Sequence, residues 1–235
     1  MPIDPVPPLP PDLVPLSKLP HFDPRTVPVA GIDSHLPPVA QAAMAPGALR
    51  DRFRAPPVWE PEIWAEKRFT DRQPAEAAVL VPIVMRDEPM VLLTERATHL
   101  STHSGQVAFP GGKRDDTDRD ASHTALREAL EEIGLEPGKV ELLGGLRHYD
   151  TITGFRIHPV VGWIEPPVAL TPDPYEVQEV FELPLSFALD PANHRRDSYD
   201  RNGVKRHFYV LPYQHRYIWG ATAGILVNFA RLLAD

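Results

Sequence analysis

The sequence predicts an α/β domain, with helices on both sides of a mixed sheet, behind a proline-rich N-terminal extension. Three observations lead there. Apolar and β-branched runs recur between turn residues from Ala77 to Ile164. A glycine turn, Pro110-Gly111-Gly112, leads into a stretch from about Asp120 to Ile133 that lacks proline and glycine and is rich in helix formers. The chain closes on Ile225, Leu226, Phe229, Leu232 and Leu233 at helical spacing. With 235 residues and 43% apolar content, there is enough material for a real core.

Taken in order, the first 60 residues hold more than half of the 29 prolines, in clusters such as Pro7-Pro8-Leu9-Pro10-Pro11. Such composition favours extended, polyproline-like structure. The interspersed Leu, Val and Phe favour a tail that wraps its own domain over a docking ligand for a partner. Between the clusters, Val39 to Phe53 reads as a short helix interrupted at Pro46. Ala77 to Met85 reads as a mostly buried strand, Met90 to Arg96 as its hairpin partner, and Gln106 to Phe109 as a short strand that delivers the chain to the glycine turn. Gly111 and Gly112, lacking side chains, let the backbone come close to a ligand. After the helix, Val140 to Arg147 and Arg156 to Ile164 read as strands that wall a cleft. Residues 172 to 184 are expected to place Glu176 and Glu179 on one side of a short turn or helix. His194 to Arg206 is strongly charged around the hairpin signal Asn202-Gly203. Its Arg195, Arg196, Lys205 and Arg206 are either solvated or turned toward an anion. The terminal stripe is core packing, too short to cross a bilayer.

The helix at 120 to 133 carries the chemistry. Advancing about 100° per residue from Glu128, Glu131 and Glu132 fall within about 60° of it, with Leu126, Ala129, Leu130 and Ile133 opposite. Gly134-Leu135 is a left-handed stop with its hydrophobic contact. Three carboxylates at these spacings repel one another, with Arg127 alone as local relief, so a cation is expected there. Hard divalent ions take oxygen ligands, and Mg²⁺ is usually held by one or two carboxylates plus substrate phosphates.

Composition excludes several classes. The chain has no cysteine, so disulfides, thiolate metal sites and thiol nucleophiles are out. A net charge of −8 argues against a nucleic-acid-coating surface and requires that any anionic substrate be met by local Arg or Lys. Met1 to Asp4 lacks a basic start before an apolar segment, and no apolar run approaches the ~18 residues of a membrane span. The expectation is a soluble cytoplasmic protein acting on a small molecule, without nucleic-acid or membrane partners.

Arg127-Glu128-Ala129-Leu130-Glu131-Glu132-Ile133-Gly134-Leu135 matches the second half of the Nudix box, and the chain resembles the Nudix hydrolases. Counting back from Arg127 puts Arg119 and Lys113 where the pattern has an acid and a glycine. The loop is one residue longer than the pattern, and counting forward from Gly112 puts Asp118 at the acid's place. Upstream, Leu92-Leu93-Thr94-Glu95-Arg96-Ala97, then Leu100, His103, Gly105, Val107 and Phe109-Pro110-Gly111-Gly112, is similar to the motif preceding the box in the coenzyme A pyrophosphatase branch. Glu176-Val177 and Phe181 to Leu185 match that branch further on. The likeness covers about residues 92 to 135, and more weakly Ile218 to Ala223.

The resemblance implies a Nudix-type α/β/α sandwich with a mixed β-sheet over 73–235, behind a proline-rich N-terminal extension over 1–72. It implies Mg²⁺ or Mn²⁺ held by Glu128, Glu132 and the carbonyl of Gly111, with Glu131 assisting, Arg127 orienting the carboxylates and Glu176, with Glu179 in reserve, as base. In the family the loop acid mainly braces the loop and the helix arginine. Arg96, His103, Gly111, Gly112 and Lys113 become substrate-binding candidates. The implied reaction is hydrolysis of the pyrophosphate bond of coenzyme A or acyl-CoA, with ADP-ribose or another nucleoside diphosphate derivative as the alternative. A non-catalytic nucleotide-binding protein is the reading outside enzymes. Dimers occur in the family, so a homodimer is allowed.

Overall fold

The structure, a computed structural model, describes residues 23–62, 73–100, 104–151, 153–201 and 204–234. Its centre is a parallel pair, β2 (Ala75–Met85) beside β8 (Phe155–Ile164), in register from Ala75 opposite Phe155 to Val84 opposite Ile164. Antiparallel neighbours make this an eight-stranded mixed sheet. On the β2 side lie β3 (Pro89–Arg96), β4 (Val107–Ala108) and β5 (Gly111–Lys113); on the β8 side lie β6 (Val140–Gly145) and β7 (Tyr149–Asp150).

Both faces of the sheet are covered, which is why β2 reads as a continuous apolar run rather than an alternating one. Ala78, Leu80 and Val84, with Leu92, Val160 and Ile164, pack against Ala125, Ala129 and Ile133 of helix α2 (Ala121–Ile133). Val81, Ile83, Val91, Leu93, Val161 and Trp163 face the other way. They join Ile225, Leu226, Phe229 and Leu233 of helix α3 (Gly220–Leu233). The mixed sheet between two helices is thus the architecture that the sequence predicts.

A second, four-stranded sheet runs in the order β1 (Val29–Ile32), β10 (Arg195–Arg201), β11 (Val204–Tyr213) and β12 (Arg216–Trp219). Its first strand comes from the proline-rich N-terminal segment. Asp33, 4% exposed, accepts the Tyr209 hydroxyl at 2.9 Å and lies 3.0 Å from Arg196. Leu49 of helix α1 (Pro46–Arg54) is fully buried in the main core. Pro46 opens this helix rather than interrupting one, because the first turn needs no N–H from it. Asn202 and Gly203 lie outside the described residues, although Arg201 pairs with Val204 across the hairpin.

One expectation is overturned. Residues 177–184 form not a turn or helix but strand β9 (Val177–Pro184), paired with β3 from Met90 opposite Pro184 to Arg96 opposite Val177. The open edge of β3 supplies the backbone partners, and this tertiary pairing overrides local pattern. Glu179 therefore lies along a strand, three positions beyond Glu176 in the preceding turn, rather than beside it on one helical face.

Candidate active site

Helix α2 is held at both ends. Asp120 caps its start, its side chain accepting from the His123 N–H at 2.8 Å. Gly134 ends it at φ 67°, where the chain turns left-handed. With Ala125, Ala129 and Ile133 in the core, the directions of Glu128, Glu131 and Glu132 are set.

Glu132 is the most enclosed of the three, 4% exposed. One carboxylate oxygen accepts the Gly111 N–H at 3.1 Å and the other is 3.5 Å from Arg96 Nη1. Burial nevertheless dominates and pushes its pKa up to about 7, with Glu128 and Glu176 adding repulsion. Burial likewise raises Glu128, against the pull of Arg127. Glu131 points to solvent, with its side chain 57% exposed, and pairs with Arg127 Nη1 at 2.9 Å.

Arg127 joins the helix to the loop before it. Its Nε and Nη2 donate to the two oxygens of Asp118 at 3.1 and 2.9 Å. Nη2 also reaches Glu128 at 3.0 Å and the Lys113 carbonyl at 3.3 Å. The Asp118 side chain is fully buried and also takes the Asp115 N–H at 2.9 Å. The guanidinium holds its carboxyl far below the usual range. The longer loop is absorbed by a turn from Asp115 to Asp118, so the shifted acid still meets the arginine.

The glycine turn packs directly on this helix. A Cβ on Gly112 would lie 2.5 Å from the Glu128 carboxyl carbon, so the residue must be glycine for Glu128 to sit where it does. Because the clash falls on the end of a flexible side chain, Gly112→Ala is expected to shift Tm little while displacing Glu128. Metal affinity and kcat should fall roughly tenfold or more, measured by metal titration beside a thermal melt.

Glu176 and Glu179 are separated by their surroundings. Backbone bonds from Thr171 N–H to Ile133 O at 2.8 Å and from Asp173 N–H to Glu132 O at 2.9 Å stitch the loop before β9 to the end of α2. This brings the Glu176 charge to bear on both Glu128 and Glu132. Glu179 instead pairs with Arg216 at 2.8 Å. His103 lies outside the described residues, so its candidacy is neither placed nor displaced.

A NUDIX domain family model matches residues 74–201 of this chain. The chain belongs to the Nudix family. It is 45% identical over 155 residues to a protein of Enterobacter sp. (strain 638) named "Uncharacterized Nudix hydrolase NudL", covering 66% of this chain and 81% of that one. A protein of the same name from Cronobacter sakazakii is 46% identical over 160 residues, covering 68% and 83%. Among solved structures, a C. elegans Ap4A hydrolase binary complex is similar at TM-score 0.41 and 18% identity, covering 49% of this chain and 83% of that one. This is a Nudix hydrolase of pyrophosphate bonds in small molecules.

Nudix hydrolases use divalent metal ions, and the donor set fits one. Glu128 and Glu132 are partly or fully buried carboxylates whose pKa values burial raises even with Arg127 at 3.0 Å from the first and Arg96 at 3.5 Å from the second. Among the described residues no three His, Asp or Glu side chains converge to enclose an ion.

A cavity of about 950 Å³, reached by the glycine turn but lined by no residue of α2, opens between the two sheets. Gly111, Gly112, Lys113 and Arg96 line one part of it, whereas the helix carboxylates lie behind the glycine turn. Sequence reasoning missed its aromatic wall, Tyr149, Phe208 and Trp219, because these residues are far apart in the chain and share no motif. Of the hairpin cations, Arg195 is bound to Asp197 at 2.8 Å and Arg196 to Asp33; Arg196, Lys205 and Arg206 all contribute to the cavity wall. No helix among the described residues is long and apolar enough to cross a membrane.

Proposed function

We propose that this Nudix hydrolase cleaves the pyrophosphate bond of coenzyme A or acyl-CoA, giving 3′,5′-ADP and (acyl-)4′-phosphopantetheine. The observation that carries the reading is that the segment similar to the coenzyme A branch, from Leu92 to Gly112, supplies Arg96, Gln106, Phe109, Gly111 and Gly112 to the cavity wall. The volume, about 950 Å³, is at the top of the roughly 300–1,000 Å³ usual for small-molecule pockets and suits a long, bulky substrate.

In this reading Glu128, Glu132 and the Gly111 carbonyl hold Mg²⁺ or Mn²⁺, which when bound offsets charge gathering on the phosphoryl oxygens and acidifies nearby water. Arg127 orients Glu128 and Glu131. Arg96 and Lys113, with His103, hold the substrate phosphates, and Gly112 leaves room for them. Water adds to one phosphorus, the bridging P–O bond breaks, and Glu176 accepts the proton that the water releases.

The test is hydrolysis of coenzyme A, ADP-ribose and a nucleoside triphosphate at equal concentration with Mg²⁺, Mn²⁺ or EDTA, products being resolved chromatographically. Metal-dependent 3′,5′-ADP from coenzyme A supports the reading, and preference for ADP-ribose replaces it with the alternative. Glu176→Gln is expected to lower kcat by roughly 10²–10⁴, whereas Glu179→Gln, which loses an outlying pair with Arg216, should change it little; equal turnover in both variants rejects Glu176 as base.

A further inference from the structure

The apolar sheet face that α3 buries continues beyond the helix. On that face of β2 and β8, Val81, Ile83, Val161 and Trp163 are at most 1% exposed. Side chains two apart along a strand share a face, so Val79, Ile157 and Phe155, nearer the start of the same strands, belong to it too. Yet Val79 and Ile157 are only half-buried and Phe155 is 36% exposed, and all three line the cavity.

Strand register makes them one floor. Lys113, Ala77, Ile157 and Tyr149 stand opposite one another in turn across β5, β2, β8 and β7. The row therefore runs about 14 Å from the glycine turn, three strand spacings. Val79, opposite Gly111, and Phe155, opposite Ala75, widen it. Tyr149 closes the far end, its ring so near α3 that a Cβ on Gly224 would stand 2.6 Å from it.

The polar groups around that end are engaged with one another. The Thr151 and Thr153 hydroxyls lie 2.8 Å apart, and Thr151 also accepts the Phe155 N–H at 3.0 Å. Asp150 is held by Arg156 at 2.8 Å. A nucleobase is selected by hydrogen bonds to its edge, for which aliphatic and phenyl groups offer no partner. An alkyl chain needs only apolar surface on which to leave water. The floor is continuous with the glycine turn, because Gly111 and Lys113 form its first edge.

We propose that the floor of Val79, Ile157, Phe155 and Tyr149 is a subsite for the alkyl part of an acyl thioester, carried on the substrate arm that leads away from the nucleoside, so that acyl-CoA is preferred to the free thiol. This deepens the reading given under Proposed function and rests on it for the identity of the whole substrate. Free coenzyme A leaves the open face in water. A medium-length acyl chain covers it.

Calorimetric binding of 4′-phosphopantetheine and of its S-octanoyl form to the full chain in EDTA tests this without turnover. Full burial of one CH₂ favours binding about fourfold, and a chain on one open face gains part of that, so the octanoyl form should bind roughly tenfold or more tighter. Phe155→Ser, at an exposed position, and Ile157→Thr, which keeps a β-branched strand residue, should each cut that ratio roughly threefold or more. In turnover, wild-type kcat/KM should favour octanoyl-CoA over coenzyme A by a similar factor, carried by KM. Equal binding of the two phosphopantetheines, or none, overturns the subsite even where coenzyme A is hydrolysed. An octanoyl preference that survives both variants, judged folded by their melts, puts the chain elsewhere and overturns the floor. If the preference and the variants behave as expected but neither coenzyme A nor its thioester is hydrolysed, the subsite stands and the substrate assignment falls.

Discussion

Glu132→Gln is expected to lower kcat by roughly 10²–10³ or more, the several kcal/mol that a bound cation contributes to charge stabilisation, while the protein becomes more stable in EDTA. The two effects share one cause. The Glu132 carboxylate is 4% exposed, and burial raises its pKa from 4.5 to about 7. Below pH 4.5 the folded and unfolded states both hold the proton and burial costs nothing extra. Between 4.5 and about 7 the unfolded chain releases the proton that the folded chain keeps, so stability falls as pH rises. Above about 7 the whole penalty is present. Melts of metal-free wild type and variant should therefore converge near pH 4 and separate by pH 8, with the variant higher. A folded variant with near-normal turnover removes Glu132 from the metal site; melts that run parallel at every pH remove the burial account.

Arg127→Ala carries the largest expected cost in stability. It leaves the Asp118 carboxylate, whose side chain is fully buried, without the two N–H donors at 3.1 and 2.9 Å that hold it. Breaking a buried pair from one side costs about 3–5 kcal/mol, roughly 6–20 °C in Tm for a chain of this size. Adding Asp118→Asn removes the stranded charge and should recover a good part of the loss. The pH dependence runs opposite to that of Glu132. Asp118 is depressed from its ordinary 3.8, so the pair's contribution is present above about pH 4 and is lost on further acidification. The gap between wild type and Arg127→Ala should narrow there, as acid melts would record. A drop of 1 °C or less at neutral pH would mean that the loop does not depend on the arginine.

What was readable in the chain was what is local. Asp120 to Leu135 carries its own periodicity and stop, so the helix and its three carboxylates could be placed from spacing alone, and the family resemblance implied the Arg127–Asp118 contact once the loop was allowed one extra residue. The buried strands at 77–85 and 156–164 were equally legible, since coverage on both faces leaves an apolar run. The strand at 177–184 was not legible, because its partner is the edge of β3 some 80 residues earlier, where Arg96 stands opposite Val177.

By itself the sequence specified the family motif, the glutamate face and the need for local positive charge in an acidic chain. Tertiary structure alone decided the difference between Glu176 and Glu179. The first is drawn to the helix end by backbone bonds to Glu132 and Ile133, and the second is taken by Arg216. It alone also joined Tyr199, Phe208 and Trp219 with the glycine turn around one cavity. The physical reason is range. Helical and turn preferences act over a few residues, whereas strand pairing and burial bring together side chains that no sequence spacing relates.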